Sequence, residues 1–169
     1  SIVLKEIEGT AETFTNTLCT LGGTDHGLTG FPANSNSVIV DSLADGQYWV
    51  KVTAYDAVGN STASTCSTDS IIVDSTNPTD NTANLQFTEA FDPDGNDVAI
   101  TWTAFTDTNL SYHRIITYTD SGCSAGTNDH GLTGSTTNSN STIVDGLADG
   151  TYYATVTAYD GAGNSTVSS

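Results

Sequence analysis

Basic residues are almost missing from this 169-residue sequence, which sets three lysines and arginines against twenty aspartates and glutamates. The net charge of −17 repels phosphate backbones and anionic lipid surfaces, so we expect no binding to nucleic acid. The sequence also lacks the uninterrupted apolar run of ~18 residues that reads as a membrane-spanning helix, and we expect no membrane insertion. No charged and apolar leader opens the chain, so any signal peptide is expected to lie outside it.

Cysteine is scarce too. Cys19, Cys66 and Cys123 are far apart, whereas a zinc site needs close pairs. Charged residues make up only 14% of the chain, and serine, threonine, asparagine and glycine supply most of its polarity. Threonine favours strands, while asparagine, aspartate and glycine favour turns. The composition therefore predicts an all-β protein with many short strands.

A repeat dominates what the sequence does contain. Positions 24–65 match positions 128–169 at 28 of 42 places, with a constant offset of 104. A period of this length is too long for a solenoid and suits a string of independent domains, which we place at 1–74 and 75–169. The counterparts of 81–105 would fall at or before position 1. The first domain is therefore either a window on a longer array or a unit whose opening strands are missing or replaced.

The second domain shows short strands separated by turns. We predict strands at 85–89, 98–105, 112–119, 141–145 and 152–159 and from 164 onwards, with a polar linker at 74–79 and a loop between the third and fourth strands. This spacing, without helical periodicity, predicts an antiparallel β-sandwich. Within 98–105, alternation places Trp102 on one face and Phe105 on the other.

The strand at 46–55 returns at 150–159 with one apolar face. We predict that this face packs on the core in both copies: Tyr48, Val50, Val52 and Ala54 in the first, and Tyr152, Ala154, Val156 and Ala158 in the second. The opposite face carries four aromatic residues, Trp49, Tyr55, Tyr153 and Tyr159. These residues either pack across neighbouring strands or form an exposed surface for a ligand.

Two motifs carry a resemblance to a known family. Leu-Ala-Asp-Gly-Thr-Tyr ends at Tyr152, and Ala-Tyr-Asp-Gly-Ala-Gly-Asn-Ser begins at Ala158. Together they resemble bacterial fibronectin type III and Ig-like modules, in which Trp102 and Tyr112 would be the core tryptophan and tyrosine. The resemblance implies tandem fibronectin type III-like or Ig-like antiparallel β-sandwiches. It also implies a bacterial secreted or cell-surface protein such as an adhesin, fibre or stalk, or a spacer in a secreted enzyme.

One loop is a candidate metal site. Asp92, Asp94, Asn96 and Asp97 cluster around a glycine, and calcium prefers oxygen ligands from a flexible loop of this kind. The competing interpretation is an Asp-Gly turn between two strands. Asp56 with Asn60, and Asp160 with Asn164, could likewise bind a cation or cap the backbone of a tight turn. For these two pairs we favour the capped turn.

The histidines are not predicted to be catalytic. His26 and His130 lie in the same motif in both repeats, and a full active site duplicated in each spacer domain is improbable, so we interpret them as parts of loop structure. His113 stands alone on a strand and is predicted to lie on the surface. No nucleophile, base and orienting group recur in a credible arrangement, so we predict no catalytic residue.

The repeat also suggests how the cysteines are used. At the repeat offset Cys19 aligns with Cys123, and the counterpart of Cys66 would be position 170. We therefore predict a Cys19–Cys66 disulfide, and with it an oxidising location. An inter-chain disulfide through Cys123 is one alternative. Three free thiols in a cytosolic protein is the other.

These patterns favour a non-enzymatic structural or adhesive module of an extracellular fibre, stalk or filament. If the first domain lacks strands, its open edges invite strands from neighbouring chains or repeats, which would produce self-association. One alternative is binding of a glycan or a host-surface protein, through the outer aromatic residues or through calcium. The other alternative is a spacer within a secreted hydrolase.

Overall fold

The computed structural model of this protein describes residues 8–26, 40–56, 58–80, 84–133 and 140–168. All regular elements in these ranges are β-strands that pair antiparallel, which confirms the predicted all-β class. The chain divides into two compact units, Ser1–Asp74 and Ser75–Ser169, called unit 1 and unit 2 below. None of the described residues forms a helix long and apolar enough to cross a lipid bilayer.

Unit 1 forms one sheet from the strands that the structure describes. The strands are β1 (Glu8–Phe14), β2 (Thr24–Asp25), β3 (Gly46–Tyr55), β4 (Ser61–Ala63) and β5 (Ile71–Val73). Their order is β2-β1-β3-β4, and β5 pairs with the first three residues of β3. The long strand β3 is therefore the centre of the unit, paired with β1 on one side and with β4 and then β5 on the other.

Unit 2 forms two sheets. Its strands are β6 (Gln86–Phe87), β7 (Val98–Thr101), β8 (Leu110–Tyr118), β9 (Asn128–Thr133), β10 (Ser141–Val144), β11 (Tyr153–Asp160) and β12 (Ser165–Val167). One sheet has the order β10-β7-β6 and the other β12-β11-β8-β9. Buried side chains of both sheets form one cluster, so this unit is a β-sandwich of the immunoglobulin-like class.

The core of unit 2 lies where the sequence pattern predicted it. Val98 and Ile100 of β7 meet Val156 and Ala158 of β11, and all four are buried. Tyr152 and Ala154 pack against the same cluster from its edge. The prediction for the apolar face of the second repeat is therefore confirmed.

Two local predictions in unit 2 were wrong. The loop expected before β10 contains the strand β9, which pairs with β8. The strand expected at 98–105 ends at Thr101, and Phe105 is buried instead of lying on the opposite face. Alternation stops once the chain leaves the sheet, so nothing then prevents Phe105 from turning inward.

The end of the predicted linker belongs to unit 2. Pro78 is fully buried, and Thr79 pairs with Thr106 through two backbone hydrogen bonds of 2.9 and 3.2 Å. Pro78 and the residue after it therefore pack in unit 2 instead of forming a free connection.

His113 is a core residue and not the surface residue that was predicted. Its side chain is 0% exposed, and its ring centroid lies 5.5 Å from that of Trp102 and 5.6 Å from that of Phe105. Because Ile115 faces inward on β8, alternation also turns His113 inward and Tyr112 outward. Tyr112 therefore does not occupy the core position that the family resemblance implied, and it stacks on Tyr159 at 4.7 Å on the outer face.

Candidate functional site

Unit 1 exposes the face of β3 that was predicted to pack on a core. Val50 and Val52 are 37% and 40% exposed, and Ala54 is exposed as well. Ile71 of β5 is paired with Tyr48, so it lies on the same face, and it is 60% exposed. We call these five residues the open face. The prediction of burial was wrong for this copy.

The repeat shows what the open face lacks. Val156 of unit 2, the counterpart of Val52, is 0% exposed because β7 and β10 of the second sheet cover it. The described strands of unit 1 form one sheet and no second layer. An apolar strand face is buried only when another layer packs on it, so the same pattern has opposite exposures in the two units.

The open face is bounded and uncharged. Ala11 and Thr13, which lie beside Val52 and Val50 on β1, are buried, so the exposure is confined to β3 and β5. None of its five side chains carries a charge, although the chain has a net charge of −17. Contiguous exposed apolar residues of this kind mark interaction sites more often than ordinary surface.

A matched tyrosine hydrogen bond holds the corner before the central strand in each unit. The Tyr48 hydroxyl donates to the carbonyl of Ala44, and the Tyr152 hydroxyl donates to that of Ala148, both at 3.0 Å. This is the arrangement of a tyrosine corner, in which the hydroxyl ties the strand to the backbone a few residues upstream. The corner is present whether or not the adjacent face is covered.

A buried threonine and a histidine form a second matched contact. Thr13 Oγ1 lies 2.8 Å from His26 Nε2, and Thr117 Oγ1 lies 2.8 Å from His130 Nε2. Burial lowers the pKa of His130, opposed by the charges of Asp129 and Asp145. Thr117 is fully buried, and the pair joins β8 to β9 as a structural contact. The threonine partners were not singled out from the sequence, although both repeat with the same offset.

The Asp-Asn pairs close the turns after the central strands. Asp56 Oδ1 accepts the N–H groups of Val58 and Asn60, and Oδ2 accepts the side-chain amide of Asn60 at 2.7 Å. The hydrogen bond from the Asn60 side chain is the main cause that lowers the pKa of Asp56. For the buried Asp160, desolvation raises the pKa, but the hydrogen bonds led by that of Asn164 outweigh it and the net pKa is lowered. These geometries are those of capped turns.

The candidate calcium loop is organised by its own backbone. Asp92 Oδ1 accepts the N–H groups of Asp94 and Gly95, and Asp97 donates its N–H to Asp145. Among the residues that the structure describes, the three carboxylates of this loop do not all lie within 4.8 Å of one another. Calcium binding by Asp92, Asp94, Asn96 and Asp97 stays a prediction. Elsewhere in unit 2, Asp107 and Asp160 each place a carboxylate oxygen within 4.8 Å of the other, a pair that the sequence did not indicate.

The four outer aromatic residues lie on paired strands, and a stacked ring contact is seen for one of them. Tyr159 stacks on Tyr112, and Tyr153 is paired with Tyr118 across β8 and β11. In unit 1, Trp49 is paired with Phe14, and Tyr55 with Glu8. Tyr153 remains exposed and the other three of the predicted set are half-buried. A ligand surface formed by Trp49, Tyr55, Tyr153 and Tyr159 stays a prediction.

An ion pair lies on the outer face of unit 2. Arg114 donates two side-chain N–H groups to the carboxylate of Asp129. The hydrogen bonds between the two side chains lower the pKa of Asp129 to about 2 and raise the pKa of Arg114. Both groups are solvent-exposed, so the pair orients β9 against β8 and adds little free energy.

The structure joins Cys19 to Cys66, as the repeat predicted. Their Cα atoms lie 5.6 Å apart, and the disulfide closes a loop with a sequence separation of 47 residues. It ties the segment after β1 to the segment after β4. Cys123 of unit 2 is a free thiol and partly buried.

The fold resembles that of solved structures. The crystal structure of the chicken CNTN1 FN1-FN3 domains superposes with a TM-score of 0.46 at 13% sequence identity. The match covers 96% of this chain and 56% of that one, so the chain spans about half the length of that structure. No protein-family model and no curated protein matches the sequence.

Proposed function

We propose that this chain is a non-enzymatic structural or adhesive module of an extracellular fibre, stalk or filament. We further propose that strands from neighbouring copies of the chain complete unit 1 by packing on its open face. The observation that carries the proposal is the contrast between Val52, which is 40% exposed, and its repeat counterpart Val156, which is 0% exposed.

Energetics support an occupant for the open face. Full burial of one valine or isoleucine side chain contributes about 1.5–3 kcal/mol. Val50, Val52 and Ile71 are 37%, 40% and 60% exposed, so covering them would contribute the corresponding part of that free energy for each side chain. Unit 2 supports the kind of occupant, because the layer that packs on the same face there is a sheet that includes β7 and β10. The proposed partner is therefore a strand whose inward residues are apolar at every second position, as Val98 and Ile100 are.

Other features support a structural role in an oxidising location. The contacts that repeat between the units are a tyrosine corner, a threonine–histidine contact and a capped turn, and each holds the backbone. The Cys19–Cys66 disulfide is typical of proteins outside the cytosol. Their duplication supports an array of modules that share one backbone framework.

Association of the whole chain tests the proposal. We expect light scattering to show a mass that rises with concentration for the wild-type protein. Val52→Asp should shift it to the monomer, because the substitution places a charge where the partner strand packs. Val58→Asp is the matched control, since Val58 lies in the turn after β3 and is already exposed. A wild-type protein that stays monomeric at high concentration, or a Val52→Asp variant that associates as well as the control, would contradict the proposal.

A further inference from the structure

The outer face of unit 2 carries four side chains that the core does not use. Tyr112 of β8 stacks on Tyr159 of β11, with ring centroids 4.7 Å apart and an interplanar angle of 19°. Arg114 follows Tyr112 by two residues on β8, so it lies on the same face of the sheet. Its guanidinium donates to the carboxylate of Asp129 on β9. We call these four residues the outer group.

The ring pair and the ion pair are joined to each other. Hydrogen bonds of Arg114, first with Asp129 and second with the Tyr159 hydroxyl, raise the pKa of Arg114. The carboxylate of Asp129 also accepts the backbone N–H of Gly131 at 2.9 Å, which fixes its position in β9. The guanidinium, the carboxylate and the rings are therefore held in one arrangement on a sheet, and preorganisation of this kind favours ligand binding.

The sheet forms without these side chains in unit 1. At the repeat offset of 104, Glu8 stands in place of Tyr112, and Thr10 stands in place of Arg114. The strands β1 and β3 nevertheless pair in the same register as β8 and β11. The pairing of these strands therefore does not account for the outer group, which is particular to unit 2.

The outer group is open to solvent and locally neutral. The side chains of Arg114 and Asp129 are 40% and 43% exposed, and the two tyrosines are half-buried. Arg114 is the only lysine or arginine in residues 75–169, and it balances the charge of Asp129. The net charge of −17 repels an anionic ligand, and a cation would compete with Arg114 for the carboxylate. The electrostatics therefore favour a neutral ligand.

The donors and acceptors of the outer group suit a ligand that is rich in hydroxyl groups. A guanidinium has five N–H donors, and the contact with Asp129 uses two of them. The carboxylate accepts from Arg114 and from Gly131, which leaves part of its capacity of about four lone pairs. Adjacent hydroxyls of a sugar can donate to such a carboxylate and accept from such a guanidinium. The apolar C–H face of the same sugar can pack on a tyrosine ring.

We infer that the outer group of unit 2 binds a neutral oligosaccharide built from hexose units. One sugar ring packs against Tyr112 and Tyr159, and its adjacent hydroxyls hydrogen-bond with Arg114 and Asp129. Of these four residues, only Tyr159 belongs to the ligand surface predicted from the sequence. Binding of this kind requires unit 2 alone and no partner for the open face of unit 1.

Arg114 provides a direct readout of binding on the full chain. The sequence contains no other arginine, so a proton–nitrogen correlation spectrum has one arginine Nε–H resonance. The chain is titrated with hexasaccharides of glucose, of mannose and of galactose, each up to about 10 mM, a range that detects dissociation constants in the millimolar range. At least one of them should shift this resonance in a saturable way. No saturable shift with any of the three would overturn the inference.

A charged ligand tests the selectivity. A hexasaccharide of galacturonic acid has carboxylates on the same kind of ring, and it should bind at least about tenfold more weakly than the best neutral hexasaccharide, because the chain repels it. Equal or tighter binding of the acidic hexasaccharide would contradict a site for neutral sugars.

Variants locate the site, with affinities measured by ligand-observed NMR. Tyr112→Ala removes one ring of the stacked pair and should weaken binding about five- to tenfold. Arg114→Gln removes the guanidinium, should weaken binding to a similar extent, and tests the same site if the first variant does not fold. Tyr55→Ala is the matched control, since Tyr55 stands at the position of Tyr159 in unit 1, and it should bind as the wild-type chain does. Affinities of Tyr112→Ala and Arg114→Gln equal to that of the control would overturn the inference.

Discussion

Each unit contains a four-stranded sheet with the same strand register, and the two units differ in what packs against that sheet. The pairing of Val52 with Ala11 in unit 1 returns as that of Val156 with Ile115 in unit 2. The tyrosine corner and the threonine–histidine contact are also the same, within the precision of the distances. The exposure of the valine, by contrast, changes from 40% to 0%. Local geometry follows the local sequence, whereas burial follows the opposing layer.

The largest difference between the units should come from the disulfide. Cys66→Ser should destabilise unit 1 by about 2–4 kcal/mol, because the closed loop restricts the unfolded chain, and it should leave unit 2 unchanged. Urea unfolding followed by Trp49 fluorescence in unit 1 and Trp102 fluorescence in unit 2 measures this. Cys123→Ser is the control and should change neither transition by more than about 0.5 kcal/mol. A comparable loss in both units would contradict the assignment of the disulfide to unit 1 alone.

The next largest effect is a loss of stability that should differ between the two copies of the central strand, β3 and β11. Val156→Ala should cost unit 2 about 2 kcal/mol, since it removes buried methyl groups and leaves a cavity. Val52→Ala should cost unit 1 less than about 1 kcal/mol, because 40% of that side chain is already in water. Both are measured by urea unfolding at a concentration where the chain is monomeric. Equal losses would show that the open face is covered in solution.

A smaller effect should be equal in the two units. Tyr48→Phe and Tyr152→Phe each remove one hydroxyl that donates at 3.0 Å, and each should cost about 0.5–1.5 kcal/mol. Urea unfolding of the two units measures both losses. A loss confined to unit 2 would mean that the tyrosine corner stabilises only a sheet that is covered.

The smallest effect is a pH dependence confined to unit 2. Burial lowers the pKa of His113, so the folded unit keeps it neutral while the unfolded chain binds a proton below pH ~6.5. Stability of unit 2 should therefore be complete above that pH and fall as the pH drops towards the folded value. His130, whose pKa burial also lowers, should act in the same direction. Unfolding at pH 7.5 and pH 5 should show this loss, and the His113→Leu variant should reduce it.

Unit 1 is the internal control for that pH effect. Gly9 stands where unit 2 has His113, so the transition followed by Trp49 should lack this contribution between the two pH values. An equal loss in both units, or an unchanged loss in His113→Leu, would assign the effect to other groups.

The sequence predicted the parts of this protein that depend on neighbours along the chain. Alternation in 150–159 identified the inward face of β11, and the Asp160–Asn164 spacing predicted the capped turn. The repeat offset predicted the Cys19–Cys66 disulfide, because Cys19 aligns with Cys123 and the counterpart of Cys66 would be position 170. The sequence did not reveal the strand β9 or the burial of His113. Both depend on partners that are distant in sequence: β9 on β8, and His113 on Trp102 and Phe105.

By itself, the sequence determined the all-β class, the duplicated strand and turns, and the residues that share each face, because these follow from backbone preferences and a period of two. Tertiary structure decided which of the two apolar faces is buried, although the repeat had already left the first domain without counterparts of 81–105. Val52 and Val156 stand in nearly the same local sequence, and only the presence of β7 and β10 across from Val156 removes it from water. Burial depends on a second layer, and no local pattern in the first layer encodes its presence.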